Sequence, residues 1–404
     1  MIHSFKCKNF YSFNDLTEIS FLVNDKAADN NGYFTTPFGD RLSKIETVIG
    51  PNASGKTNLL KVLPFLKWFI ADSINSNPDD IIPVKPFAFS KDQSKPTLLS
   101  VEFETGENVY DYSVSFIAER VNEEELKYKS KTKKRITWKQ VFKRSWNRQD
   151  NLYEFKKPGL FFPNEFEKLL RKNASVISVA MRLNDPKSRE IASYWQKLET
   201  NIIEVGWLGD SFLPNAGKQI IETLDFYSEN KPIKQLADKL LSDYDLGLDS
   251  FEIKKEKQEK GFSFGINANH NIGGKIWKMP FNYESSGTKQ LFVILKTVLL
   301  VLDRGGIAVI DELDSNLHPE IVSSLVQMFI DPKTNSKNAQ LLFCNHSLLV
   351  LNRLDKYQII LTEKNKFGAT EAWRLDEMTG IRADENYFAK YIAGAYGAMP
   401  KLDK

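Results

Sequence analysis

The segment that most narrows the fold is Gly50-Pro51-Asn52-Ala53-Ser54-Gly55-Lys56-Thr57, which fills every fixed position of the pattern G-x-x-x-x-G-K-[S/T]. Its flanks agree with the pattern. Ile45–Ile49 reads as a buried strand running directly into Gly50, and Leu59, Leu60, Leu63 and Leu66 recur at helical spacing over Asn58–Ala71. Strand, glycine loop and helix in that order turn backbone N–H groups and a helix N-terminus toward an anion, while the lysine neutralises phosphate charge. Asn52, Ala53, Ser54, Gly55, Lys56, Thr57 and Asn58 are therefore the expected ATP-binding residues, with the Thr57 hydroxyl on Mg²⁺. The plain alternative, a glycine turn before an ordinary helix, does not require both flanks.

A loop of this kind needs a parallel sheet behind it, and the later sequence supplies strands for one. Ile307–Ile310 and Leu341–Cys344 are short continuous apolar runs, the form of parallel strands buried on both faces. Gln358–Thr362 and Thr370–Leu375 are candidates for two more. The first 50 residues, together with Leu98–Glu104 and Val109–Ala118, alternate apolar and polar positions and read as a short-stranded β lobe. From 121 to 245 the pattern changes to a charged, aromatic β-hairpin followed by helical spacing around Pro186–Ile203, Gly217–Tyr227 and Pro232–Tyr244. A β-like segment at Phe251–Asn267 precedes the resumed α/β pattern. The fold class is α/β, a mixed β lobe and a central parallel sheet with a mixed α/β insertion, divided as 1–120, 121–245 and 246–404.

With 404 residues and 42% hydrophobic content the chain can bury a large core. Lys+Arg 55 against Asp+Glu 52 leaves a net charge of +3, so the global balance demands neither nucleic acid nor membrane. Cys7 and Cys344 cannot build a disulfide framework or a four-ligand zinc site, which suits a reducing compartment. The apolar run Leu291–Leu302 is interrupted by Lys296 and falls short of the roughly 18 residues that span a bilayer. The opening residues lack the apolar core of a secretory signal. A cytoplasmic location without a membrane anchor is expected.

Three further segments carry chemistry. Ile307–Ile310 ends in Asp311-Glu312, where the first carboxylate would orient Mg²⁺ through water and the second would serve as catalytic base or positioning group for an attacking water. Glu284-Ser285-Ser286-Gly287-Thr288 opens the long apolar helix, and a serine hydroxyl with exposed N–H groups at a helix start favours an anion. His346 follows the Leu341–Cys344 run.

In this order the segments resemble those of ABC ATPases. Ser285 and Gly287 match the serine and second glycine of that family's signature, while Glu284, Ser286 and Thr288 depart from the transporter form. The resemblance implies that Ser285, Ser286 and Gly287 bind in trans the γ-phosphate held by a second copy. It also implies that Asp314 in Leu313–Leu317 is the D-loop aspartate and that His346 contacts the γ-phosphate in catalysis beside Glu312. Gln93 is the one glutamine available for a Q-loop, in a segment that does not align. The opening Phe5–Phe13 is similar to the SMC branch, but sustained heptads and a Cys-x-x-Cys hook are missing, which excludes long coiled-coil arms.

A further resemblance is to the compact RloA-like ATPases of bacterial anti-phage defence. It rests on the opening segment, the P-loop, Glu284–Thr288, Val309–Glu312, Asn345-His346-Ser347 and the ending Gly394–Pro400. It implies a slow ATP hydrolase using ATP and Mg²⁺ that is at least a homodimer and opens to higher homo-oligomers. It further implies an effector nuclease of TOPRIM type encoded nearby, controlled through a phage-encoded trigger protein. The rival class is an SMC/RecF-like DNA-binding repair ATPase. Lys127–Arg148 bears on that rival: it holds ten Lys/Arg residues interleaved with Tyr128, Trp138 and Trp146. Such a stretch binds nucleic acid through phosphates and stacking, or is a solvated hairpin face whose aromatics pack inward. Both readings stand on sequence alone.

Overall fold

The structure, a computed structural model, describes residues 1–130, 137–202, 215–244, 247–258 and 262–400. Its central layer is a six-stranded sheet in the spatial order Glu199–Thr200, Ile307–Ile310, Gln340–Cys344, Ile45–Ile49, Ile359–Lys364 and Thr370–Arg374. Neighbours are parallel except the last pair. Ile45–Ile49, Ile307–Ile310 and Gln340–Cys344 are buried at every position, as parallel strands covered on both faces must be. Successive side chains point to opposite faces. Val48, Val309, Leu342 and Ile360 accordingly enter one core, and Ile49, Ala308, Ile310, Leu341, Phe343 and Leu361 enter another.

The first core lies between this sheet and a seven-stranded antiparallel one. Its spatial order is Leu152–Lys156, Lys139–Asn147, Arg120–Ser130, Asn108–Ile117, Thr97–Thr105, Ile2–Lys8 and Thr17–Ser20. The helix that follows the P-loop fills the gap, with the Phe65 and Phe69 rings 5.5 and 5.7 Å from Phe116. That helix is divided into Lys56–Leu60, Val62–Lys67 and a wider π-helical turn at Trp68–Asp72. Pro64 has no N–H to offer the Leu60 carbonyl, which accounts for the break at Lys61. The second core lies on the other face, under Ser286–Arg304 and Pro319–Ile330.

The expected boundary at residue 120 falls inside the antiparallel sheet. Ile117 opposes Arg120, and pairing continues to Asn108 opposite Ser130. The helices Val176–Arg182 and Pro186–Gln196 enter the first core through Ile177, Ala180, Ile191 and Trp195. Asn215–Glu229 and Lys231–Asp243 enter the second through Leu224, Tyr227 and Leu241. Segment 121–245 is thus shared between both cores. The helical spacing read through Ile203 stops at Gln196, because the chain turns at Lys197 and Glu199–Thr200 takes the free edge beside Ile307–Ile310.

Ser250–Lys257, Phe262–Ile272 and Lys275–Pro280 form a separate antiparallel sheet leading into Ser286–Arg304. Gln340 ties distant segments together: its Oε1 accepts from the Ile2 N–H at 2.7 Å, and its Nε2 donates to the carbonyls of Ile2 at 2.9 Å and Ser43 at 3.2 Å. Among the described residues no helix is long and apolar enough to cross a membrane.

Candidate nucleotide site

The P-loop keeps its shape through two close approaches that exclude a side chain. A Cβ on Gly50 would lie 2.2 Å from the Thr362 carbonyl oxygen, and one on Gly55 would lie 2.2 Å from Thr370 Oγ1. Gly55 also has φ +108°, a conformation that only glycine adopts without strain. Thr370 Oγ1 donates to the Ser54 carbonyl at 2.8 Å, and Ser54 Oγ lies 2.7 Å from Thr362 Oγ1. Ile359–Lys364 and Thr370–Arg374 thus brace the loop. Lys56 Nζ donates to the carbonyls of Gly50 and Pro51 at 2.9 and 3.0 Å. Burial lowers its pKa, against the opposing pull of Cys344, Asp311, Glu312 and Asp314.

One cleft of about 580 Å³ is lined by Asn52, Ala53, Ser54, Gly55, Lys56, Thr57, Asn58, Glu312, Cys344 and His346. Thr57 Oγ1 donates to Asp311 Oδ1 at 3.2 Å. A threonine hydroxyl beside a carboxylate is a hard-oxygen donor set, which fits Mg²⁺ with its remaining ligands from water and phosphate. Glu312 is exposed at the cleft with φ 48°, a conformation costing about 1–3 kcal/mol and often concentrated at functional sites. Its Oε1 lies 4.0 Å from His346 Nε2. Asp314 does not line the cleft; its Oδ2 accepts from the N–H groups of His346 and Ser347 at 2.9 and 2.7 Å, fixing the turn that presents His346.

Two side chains escaped the sequence reading. Asn201, just past the edge strand Glu199–Thr200, accepts from the Asp311 N–H and donates to the Asp311 carbonyl, each at 2.8 Å. It fixes the backbone of the carboxylate expected at Mg²⁺. Cys344 donates its thiol to Asp311 Oδ1 at 2.7 Å and accepts from the Glu312 N–H at 3.2 Å. Gln93 instead closes its own loop, donating to the carbonyls of Phe87, Ala88 and Ser90.

Ser285, Ser286 and Gly287 lie outside the cleft lining. Ser285 caps Ser286–Arg304, its Oγ accepting from the Thr288 N–H at 3.0 Å. A Cβ on Gly287 would stand 2.6 Å from the Asn316 carbonyl oxygen, so this glycine lets the chain around Asn316 pack on the helix start. The preceding Glu284 is buried, its Oε1 2.7 Å from His270 Nε2. Burial alone would lower the His270 pKa; the bonds to Glu284 and the Gly247 carbonyl, with the Glu284 charge, outweigh it and raise the value.

The basic stretch is largely paired where it is described. Lys127 meets Glu125 at 3.1 Å, Lys129 meets Glu102 at 3.1 Å, Lys143 meets Glu123 at 3.6 Å and Arg144 meets Glu124 at 2.6 Å. Trp146 packs against Arg120 and Lys172, and Trp138 against Lys129. Lys131, Lys133, Lys134 and Arg135 lie outside the described residues.

A family model described as "AAA domain, putative AbiEii toxin, Type IV TA system" matches residues 47–352. Among solved structures, the chain is similar to an SMC head bound to the C-terminal winged-helix domain of ScpA, at 14% identity and a TM-score of 0.47, over 93% of this chain and 99% of that one. A second is an SMC head with an extended coiled coil bound to the C-terminal domain of ScpA, derived from Pyrococcus furiosus, at 13% identity and a TM-score of 0.44 over 93% and 97%. No curated protein matches the sequence.

Proposed function

We propose that this chain, an α/β P-loop ATPase that belongs to the AAA-domain, AbiEii-toxin (Type IV TA system) family, is a slow ATP hydrolase working as a nucleotide-driven dimeric switch. The carrying observation is the convergence of Asn52–Asn58, Glu312 and His346 on one cleft, with Ser285–Gly287 outside it. A helix N-terminus that cannot serve its own cleft is free to serve that of a second copy. Two copies would then enclose two nucleotides.

In this reading the P-loop N–H groups and Lys56 hold the phosphates. Thr57 would hold Mg²⁺ directly and Asp311 through water, and the ion would supply charge neutralisation on the transferring phosphoryl group. Glu312 positions a water and takes its proton as the water oxygen bonds to the γ-phosphorus and the bridging oxygen leaves with ADP. His346 and Ser285 of the second copy stabilise charge on the γ-phosphate oxygens. Asn201 and Asp314 are positioning residues, acting through Asp311 and His346. With Mg²⁺ and ATP, Glu312→Gln should accumulate as a nucleotide-bound dimer in size-exclusion chromatography. A monomer under saturating ATP would sink the sandwich.

The likeness to RloA-like ATPases, and among them to those of PARIS-type systems, extends the proposal to anti-phage defence: the closed dimer scaffolds a nuclease toxin and releases it on a phage-encoded trigger. Co-purification with the product of a neighbouring nuclease gene tests this. Salt-dependent DNA binding lost on neutralising Lys127–Arg148 would favour a repair clamp instead; the glutamate pairing of the described strand weighs against it.

A further inference from the structure

The start of Ser286–Arg304 poses an electrostatic problem that the hairpin beside it answers. A helix N-terminus offers an anion about half a unit of positive charge. One carboxylate at the same place cancels it. Glu284 stands immediately before the cap Ser285 and is buried there, where solvent and salt screen its charge poorly.

His270 sits on Phe262–Ile272 and reaches Glu284 from the neighbouring sheet. Its Nδ1 lies 2.7 Å from the Gly247 carbonyl oxygen, which can only accept, so Nδ1 bears a proton. Its Nε2 faces Glu284 Oε1, a second acceptor, at 2.7 Å. Two acceptors on one ring call for the imidazolium. The carboxylate is thereby both neutralised and drawn toward the hairpin, while Ser285 Oγ stays engaged with Thr288 at the helix start.

We propose that His270 is a positioning residue for the trans phosphate site, holding and neutralising Glu284 so that Ser285–Gly287 can receive the γ-phosphate bound by a second copy. This rests on the sandwich reading. It adds that the hairpin 262–280, through one ion pair, sets how readily the two copies close.

The test uses the full chain in the Glu312→Gln background and follows dimer formation against ATP concentration by analytical ultracentrifugation. Nucleotide affinity of the monomer is measured in parallel with a fluorescent ATP analogue. Adding His270→Ala should raise the ATP concentration for half-dimerisation by about three- to tenfold, the scale of a charge at a helix terminus. Monomer affinity should be unchanged. Adding Glu284→Gln as well should restore dimerisation, which a merely structural loss would not permit. Unaltered dimerisation in His270→Ala, or a loss that Glu284→Gln fails to relieve, overturns the proposal. Should His270→Ala fail to fold, His270→Asn replaces it, keeping a donor to Gly247 without the charge, with the same two outcomes. If the Glu312→Gln background itself stays monomeric, the sandwich reading fails, and this inference with it, at a step distinct from the His270 comparison.

Discussion

At the scale of single residues the P-loop leaves little freedom. Gly55→Ala would force a side chain into a left-handed backbone at φ +108° and onto Thr370 Oγ1. The expected cost is about 1–3 kcal/mol, read by chemical denaturation, together with loss of nucleotide binding. Such positions were legible because the motif is local: glycines, lysine and threonine stand at fixed intervals on one turn of chain. Asn201 was not. It meets Asp311 across 110 residues of sequence, and nothing marks it until Glu199–Thr200 is known to lie beside Ile307–Ile310. Cys344 is similar; as the end of an apolar run it reads as core, and only the parallel pairing of Gln340–Cys344 with Ile307–Ile310 brings its thiol to Asp311.

Among elements, the paired strands Arg120–Ser130 and Lys139–Asn147 depend on a buried pair. Arg144 and Glu124 are both fully buried 2.6 Å apart. Glu124 also accepts from Tyr112 and from the Val176 N–H at the start of Val176–Arg182, and Arg144 donates to the carbonyls of Arg171 and Ala174. Arg144→Met strands the carboxylate and should cost about 3–5 kcal/mol, measured by urea unfolding; a change below 1 kcal/mol would contradict that account. From composition Arg144 is merely one of ten cations between Lys127 and Arg148, since its partner's strand and the loop 171–174 are separate in sequence. For the same reason residue 120 reads as a boundary: charge density rises there, while the ladder of backbone bonds, invisible in composition, joins Asn108–Ile117 to Arg120–Ser130 across it.

For the molecule as a whole, alternate residues of one parallel sheet supply both cores, so a ligand on the P-loop should steady the entire fold. ATP at a hundredfold excess over its Kd should add about 2.7 kcal/mol to global stability. Differential scanning fluorimetry reads this as a rise in Tm, and Lys56→Ala should abolish the rise without unfolding the protein. The α/β class and the order of the motifs were readable because buried parallel strands advertise themselves as apolar runs; the partition of 121–245 between two cores was not, since its helices look alike in sequence. The hydrogen bond from the Ile2 N–H to the Gln340 side chain spans 338 positions. On the ribosome, then, Ile2–Lys8 waits for one of its anchors while 338 further residues are made, and nascent chains halted before that glutamine would lack a middle strand of the sheet. Premature stops there should yield targets for proteolysis rather than partly folded products that persist.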